Sequence, residues 1–116
     1  ASINAKSAEM VIEVLEKMKI PEVTAIIGIP DDKDYVGVAQ KMAPLASQII
    51  LTKSSSPHYK FSDIQEKTLQ KRGFSQVCFY ELSQALREAQ KRQKPILILG
   101  TTSLISDVKR IYNRKL

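Results

Sequence analysis

The sequence predicts an α/β fold, a three-layer, doubly wound and mostly parallel sheet of about four to six strands. Three observations carry this expectation. Segments with apolar residues at helical spacing alternate with short β-branched runs along the whole chain. Those runs are apolar at consecutive positions, as strands covered on both faces are. No composition shift, repeat or low-complexity stretch interrupts the alternation, so residues 1–116 read as a single domain.

Each element has its own local signals. Ala1 to Lys6 is short and polar and does not begin with Met, which suggests an excised piece of a longer polypeptide or a processed product. From Ser7, the positions Ala8, Val11, Ile12, Leu15 and Met18 recur at i, i+3, i+4 and i+7, the pattern of an amphipathic helix. Ser7 is placed to cap it, Lys17 and Lys19 suit its negative end, and Pro21 closes it. Val23 to Ile29 reads as the first strand, followed by a charged turn through Pro30, Asp31, Asp32, Lys33 and Asp34.

The second helix is expected from Asp32 or Lys33 to Met42, stopped by Pro44. Gly37 inside it costs about 1 kcal/mol relative to Ala, which implies close approach of a backbone or a ligand. Gln48 to Thr52 is the second strand, and Lys53 to Lys60, with three serines and a proline, is a loop. Ser62 and Gln65 form a capping box for a third helix reaching about Arg72, where Gly73 supplies the left-handed cap. Gln76 to Tyr80 is the third strand and Ser83 to about Arg92 the fourth helix. Pro95 to Gly100 is the last strand, and Thr101, Thr102 and Ser103 cap a closing helix with Leu104, Ile105, Val108, Ile111 and Tyr112 on one side.

A strand order of 3-2-1-4 would place the switch point between strands one and four. The turns Pro30 to Asp34 and Gly100 to Ser103 then face one crevice at the carboxyl edge, where ligands of open α/β sheets bind. Backbone N–H groups from Gly100 onward, with the hydroxyls of Thr101, Thr102 and Ser103, suit a carboxylate or phosphate, and Lys33 adds a positive charge. Plain helix capping by Asp, Ser and Thr explains the same residues without a ligand.

Composition narrows the function further. Of the net charge of +6, residues 1–58 hold 6 basic and 7 acidic groups, whereas residues 59–116 hold 12 basic and 5 acidic ones. That bias suits an anionic ligand. Nucleic acid is disfavoured, because aromatic residues do not interleave with the basic ones. Cys78, the only cysteine, lies in the apolar run Val77 to Tyr80 and reads as a structural thiol, consistent with a reducing, cytoplasmic location. His58 is the only histidine, which excludes a multi-histidine metal site. No apolar stretch approaches the roughly 18 residues of a membrane span. GxxxxGK[ST], GxGxxG and GxSxG are all absent.

Over nearly its whole length the chain resembles the C-terminal domain of the Mur ligase superfamily, most closely that of the folylpolyglutamate synthases, which is Rossmann-like. Ala1 to Ala8 resembles the end of the family's Asp-Gly-Ala-His-Asn-Pro segment and the helix that follows. Asp32-Lys33-Asp34-Tyr35 matches its Asp-Lys-Asp-Tyr turn, and Met42 to Thr52 is similar to its Leu-Ala-Pro-Leu-Ala-Asp-x-Val-Ile-Leu-Thr run. Gln84 to Ala89 and Leu97 to Lys109 resemble its Ala/Leu-rich helix and its strand, Gly-Ser turn and closing helix. Ile3 stands in place of the family's His, Ala5 in place of Pro, and Ser56-Pro57-His58-Tyr59 in place of Asn-Pro-Arg-Ala.

The resemblance implies the amino-acid-binding domain of an ATP- and Mg²⁺-dependent ligase that joins an amino acid such as glutamate to a carboxylate such as a folate through an acyl phosphate. Its partner is then an N-terminal P-loop domain of the same ligase. By resemblance, Asn4 lies near the nucleotide, Asp32, Lys33 and Asp34 near the inter-domain site, and Thr101, beside Gly100, takes the place of a Ser that contacts the amino acid. A free-standing, non-catalytic module that binds an anion or a protein is the alternative.

Overall fold

The computed structural model describes residues 5–28, 34–53, 63–100 and 102–115. Within them the elements run α1 (Ala5–Lys17), β1 (Val23–Gly28), α2 (Tyr35–Met42), β2 (Ala46–Leu51), α3 (Asp63–Lys71), β3 (Val77–Phe79), α4 (Leu82–Lys91), β4 (Ile96–Gly100) and α5 (Thr102–Lys115). The four strands form one parallel sheet in the order β3-β2-β1-β4, as expected from the winding. β1 sits centrally, paired on both sides, and all six of its residues are buried. This is the physical meaning of its unbroken apolar run: neither face nor edge of that strand meets water.

Alternation along the strands divides the core in two. Ala25, Ile27, Ile49 and Leu51 pack with Ala8 and Leu15 of α1, Val38, Ala39 and Met42 of α2, and Leu69 of α3. Ile26 and Ile50 pack on the opposite face with Leu82, Ala85, Leu86 and Ala89 of α4 and Leu104 and Val108 of α5. Three layers result. The connections that step from β1 to β2 to β3 carry their helices on one face, and the return from β3 to β4 puts α4 on the other, as right-handed crossovers require.

The helix ends sharpen several expectations. α1 begins at Ala5, so Ser7 lies within its first turn rather than capping it. It ends in a Schellman motif, with Lys19 N–H donating to Glu16 C=O and Ile20 N–H to Leu15 C=O, both at 3.0 Å. The left-handed position is filled by Lys19, φ 57°, where glycine is the residue of least strain. Lys19→Gly is therefore expected to raise stability by about 0.5–1 kcal/mol in urea unfolding, and an unchanged or lower midpoint would contradict this. The equivalent position after α3 already holds Gly73, φ 99°, as expected.

Met18, assigned to the buried side of the first helix by spacing, is instead exposed, because the helix has ended before it. α4 starts at Leu82 behind Glu81, whose side chain makes no capping bond, one residue earlier than Ser83. β2 begins at Ala46 rather than Gln48, and Ser62 of the expected capping box lies outside the described residues.

Candidate functional site at the sheet switch point

β1 and β4 end together. Gly28 and Gly100 are register partners at the carboxyl edge, at the point where the strand order reverses. Both lie on the face covered by α5, two residues beyond Ile26 and Ile98. A Cβ on Gly28 would stand 2.7 Å from Leu104 Cδ2 and 3.2 Å from both Thr52 Cγ2 and Thr52 O. One on Gly100 would strike Leu104 Cδ2 and stand 2.8 Å from Gly28 O. The glycine pair thus lets the first turn of α5 settle onto the sheet edge, with Leu104 filling the space between them. The N–H groups of the first turn of this 14-residue helix, which have no acceptor within the helix itself, are carried to the switch point by that packing.

Asp34 is the other described residue of the expected site. Its carboxylate accepts a hydrogen bond from Gly37 N–H at 3.0 Å and caps α2, which starts at Tyr35 and not at Asp32 or Lys33. This also explains Gly37. A Cβ there would collide with the Asp34 carboxylate, so the close approach implied by the glycine is to the helix's own cap rather than to another chain or a ligand. Asp34→Ala is expected to cost about 1 kcal/mol in thermal or urea unfolding. No loss would show that the cap is not holding the turn.

Asn4, Asp32, Lys33 and Thr101 lie outside the described residues, as does His58. Of the expected site the structure therefore shows Gly100 beside Gly28 and Asp34 heading α2, on elements that share the carboxyl edge.

Thr52 at the end of β2 is a residue that spacing placed only in a strand. Its N–H extends the ladder to Ile27 C=O at 3.0 Å, its methyl faces Gly28, and it is fully buried. Among the described residues its hydroxyl has no hydrogen-bond partner, and the same holds for Thr24 near the opposite edge. Burial of an unpaired hydroxyl is costly, so Thr52→Val is expected to keep or raise stability by up to about 1 kcal/mol. A clear loss would reveal a partner for that hydroxyl.

Elsewhere the polar groups are accounted for structurally. Cys78 accepts a hydrogen bond from Gln48 Nε2 at 2.9 Å, and burial pushes its thiol above the ordinary range, as suits an inert core cysteine. Glu9 is held below the usual carboxylate range by its hydrogen bond to Lys41. The basic run at the end of α4 borders an open cavity of about 400 Å³ with Ser47 and Glu88. Lys91 pairs there with Glu88 at 2.9 Å, and Lys94 with Glu22 at 2.7 Å. A helix C-terminus repels anions, so this groove is a solvated helix end. Among the described residues no group of three or more His, Cys, Asp or Glu can hold a metal ion, and no helix is long and apolar enough to cross a membrane.

No protein-family model matches the sequence, and no curated protein sequence matches it. The fold, by contrast, has solved counterparts. A folylpolyglutamate synthase from Thermotoga maritima superposes with a TM-score of 0.77 at 20% identity, covering 100% of this chain and 27% of its own. A Mycobacterium tuberculosis folylpolyglutamate synthase complexed with ADP gives 0.72 at 15% identity over 97% of this chain and 28% of its own. The same enzyme complexed with ADP and AMPPCP gives 0.73 at 17% identity, over 98% and 29%. The chain thus spans little more than a quarter of the length of the structures it matches. From end to end it has the Rossmann-like fold of one part of a folylpolyglutamate synthase, as the resemblance in its motifs implied.

Proposed function

We propose that this chain is the C-terminal, amino-acid-binding domain of an ATP-dependent ligase of the folylpolyglutamate synthase kind, which joins an amino acid such as glutamate to a carboxylate such as a folate. One observation supports this above the rest. The β1/β4 switch point carries paired glycines under the N-terminus of α5, in a fold shared over the whole chain with folylpolyglutamate synthases. In this reading the N–H groups of the first turn of α5, with the hydroxyl of Thr101, receive the carboxylate of the amino acid, and Lys33 adds charge to the same wall. Asp32 and Asp34 favour the amino group, with Asp34 also fixing the start of α2. Asn4 approaches the nucleotide from the entry to α1.

The residues described here do not fit ATP or Mg²⁺ by themselves. The glycine cradle is filled by Leu104, and no carboxylate cluster is present among them. ATP and Mg²⁺ are therefore assigned to a partner P-loop domain, which supplies the phosphoryl chemistry, and the part played by this chain is to bind and orient the amine and to exclude water when the domains close.

The test is an assay of the full-length polypeptide with ATP, Mg²⁺, glutamate and a folate. ADP release that requires both glutamate and the folate is expected. A full-length polypeptide without a GxxGK[ST]-type loop, or without such turnover, would remove the ligase reading. Binding of glutamate or folate to the polypeptide without ATP turnover would favour the non-catalytic module.

A further inference from the structure

β3 is an edge strand of three residues, paired on one side with β2. Val77 is buried, whereas Cys78 and Phe79 are half-buried. The ladder positions are Gln76, Cys78 and Tyr80, with Ile49 N–H donating to Gln76 C=O at 2.9 Å and Tyr80 N–H to Leu51 C=O at 3.0 Å. The backbone groups of Val77 and Phe79 therefore point away from β2, and α3 supplies partners for them. Phe79 N–H donates to Glu66 Oε2 at 2.9 Å, and Gln70 Nε2 donates to Val77 C=O at 3.3 Å.

α3 depends on β3 in return. At 9 residues it is shorter than the roughly 12–15 at which an isolated helix begins to hold in water. Leu69 is its buried residue, in the core that also holds Val77, with Phe74 and Phe79 packed against it. A short strand paired on one side is no more stable by itself. Glu66 and Gln70 thus join two elements, each of which is marginal without the other.

The elements before α3 and after β3 are anchored elsewhere. β2 is paired with β1 on its other side, and α4 is held by Leu82, Ala85, Leu86 and Ala89 in the opposite core. Lys53, after β2, and Glu81, the N-cap of α4, form an ion pair at 3.8 Å, so the chain that leaves β2 returns beside its starting point. Between α3 and β3 the turn is made by Gly73, φ 99°.

We propose that α3 and β3 are one movable unit, which opens from the sheet as a piece while β2, β1, β4 and α4 stay folded. Segments with few buried side chains open below the free energy of global unfolding, in contiguous cooperative units. α3 and β3 meet that description, and the Glu66 and Gln70 bonds make them open together. β3 cannot leave without giving up the carboxylate of Glu66, and α3 cannot leave without baring the outer groups of β3. Opening breaks the ladder bonds at Ile49 and Leu51, and residues 49–51 of β2 become the edge of a three-stranded sheet.

Amide hydrogen exchange of the full-length polypeptide tests this, read at Leu69 in α3, at Tyr80 just after β3 and at Ile26 in β1. Leu69 and Tyr80 are expected to share one protection factor to within about threefold, at least about a hundredfold below that of Ile26. Val108→Ala, which loosens α5 in the opposite core, is expected to speed exchange at Ile26 about tenfold and to leave Leu69 and Tyr80 unchanged. Glu66→Ala is expected to speed Leu69 and Tyr80 by one common factor of about ten. Protection factors of Leu69 and Tyr80 that differ by about tenfold or more overturn the proposal, because one element then leaves without the other. Protection at both equal to that of Ile26, or falling with it in Val108→Ala, overturns it too, since the unit then opens only with the whole domain. A Glu66→Ala variant in which either residue exchanges as before shows that the carboxylate does not join the two, and has the same consequence.

Discussion

Gly100→Ala is expected to cost about 3 kcal/mol, lowering the melting temperature by roughly 10 °C. The added methyl meets two obstacles of different kinds. Leu104 Cδ2 is the end of a side chain and can rotate, at the expense of its own packing. Gly28 O, at 2.8 Å, is backbone in the middle of the sheet and can yield only by opening the β1–β4 ladder.

Gly28→Ala meets Leu104 Cδ2 at 2.7 Å and Thr52 at 3.2 Å, without so close a backbone atom, and is expected to cost less, about 1–2 kcal/mol. Urea unfolding of both variants tests the ordering. Equal losses, or a Gly28 variant weaker than the Gly100 variant, would mean that Leu104 and not the sheet edge sets the constraint. In the double variant with Leu104→Ala, the cost of Gly28→Ala is expected to shrink, since the cavity left by leucine accommodates the methyl.

On the proposed ligase reading, Lys33→Ala in the full-length polypeptide is expected to lower kcat/KM for the amino acid about 10- to 100-fold while leaving the melting temperature within about 2 °C. Lys33 belongs to the connection between Gly28 and Asp34, both at the carboxyl edge, and a charge-assisted contact to a carboxylate is of the size that such a loss represents. Lys33→Arg, which keeps the charge, is expected to recover part of the rate. Unchanged kinetics in the alanine variant would take Lys33 out of the site.

Much of the fold was legible in the residues. The apolar run of β1, the helical spacing of α1 and α4 and the glycine after α3 each report a short-range requirement, of burial on two faces, burial on one, or a left-handed backbone. The order β3-β2-β1-β4 is the one considered for such a winding, one of the few that parallel strands with right-handed crossovers allow. Where local reading failed, longer-range packing had decided. Met18 fits the helical spacing but follows the last residue of α1, inside a Schellman turn that Lys19 closes without a glycine. Gly37 resembles a ligand approach and is room for the Asp34 cap.

The candidate site was legible only as two turns. Gly28 and Gly100 are 72 positions apart, and nothing short-range tells that they are register partners or that Leu104 lies against both. The hydrogen bonds by which α3 meets β3, from Phe79 N–H to Glu66 and from Gln70 to Val77 C=O, have no sequence signal either, since a glutamate and a glutamine four apart read as any solvated helix face.

What the sequence determined by itself was the class of the fold, because periodicity and backbone preference within about a dozen residues mark each helix and strand. Only the tertiary structure decided that the two glycines meet under Leu104 and that Thr52 is buried with its hydroxyl unpaired among the described residues, because each depends on which distant segments the packed sheet brings together.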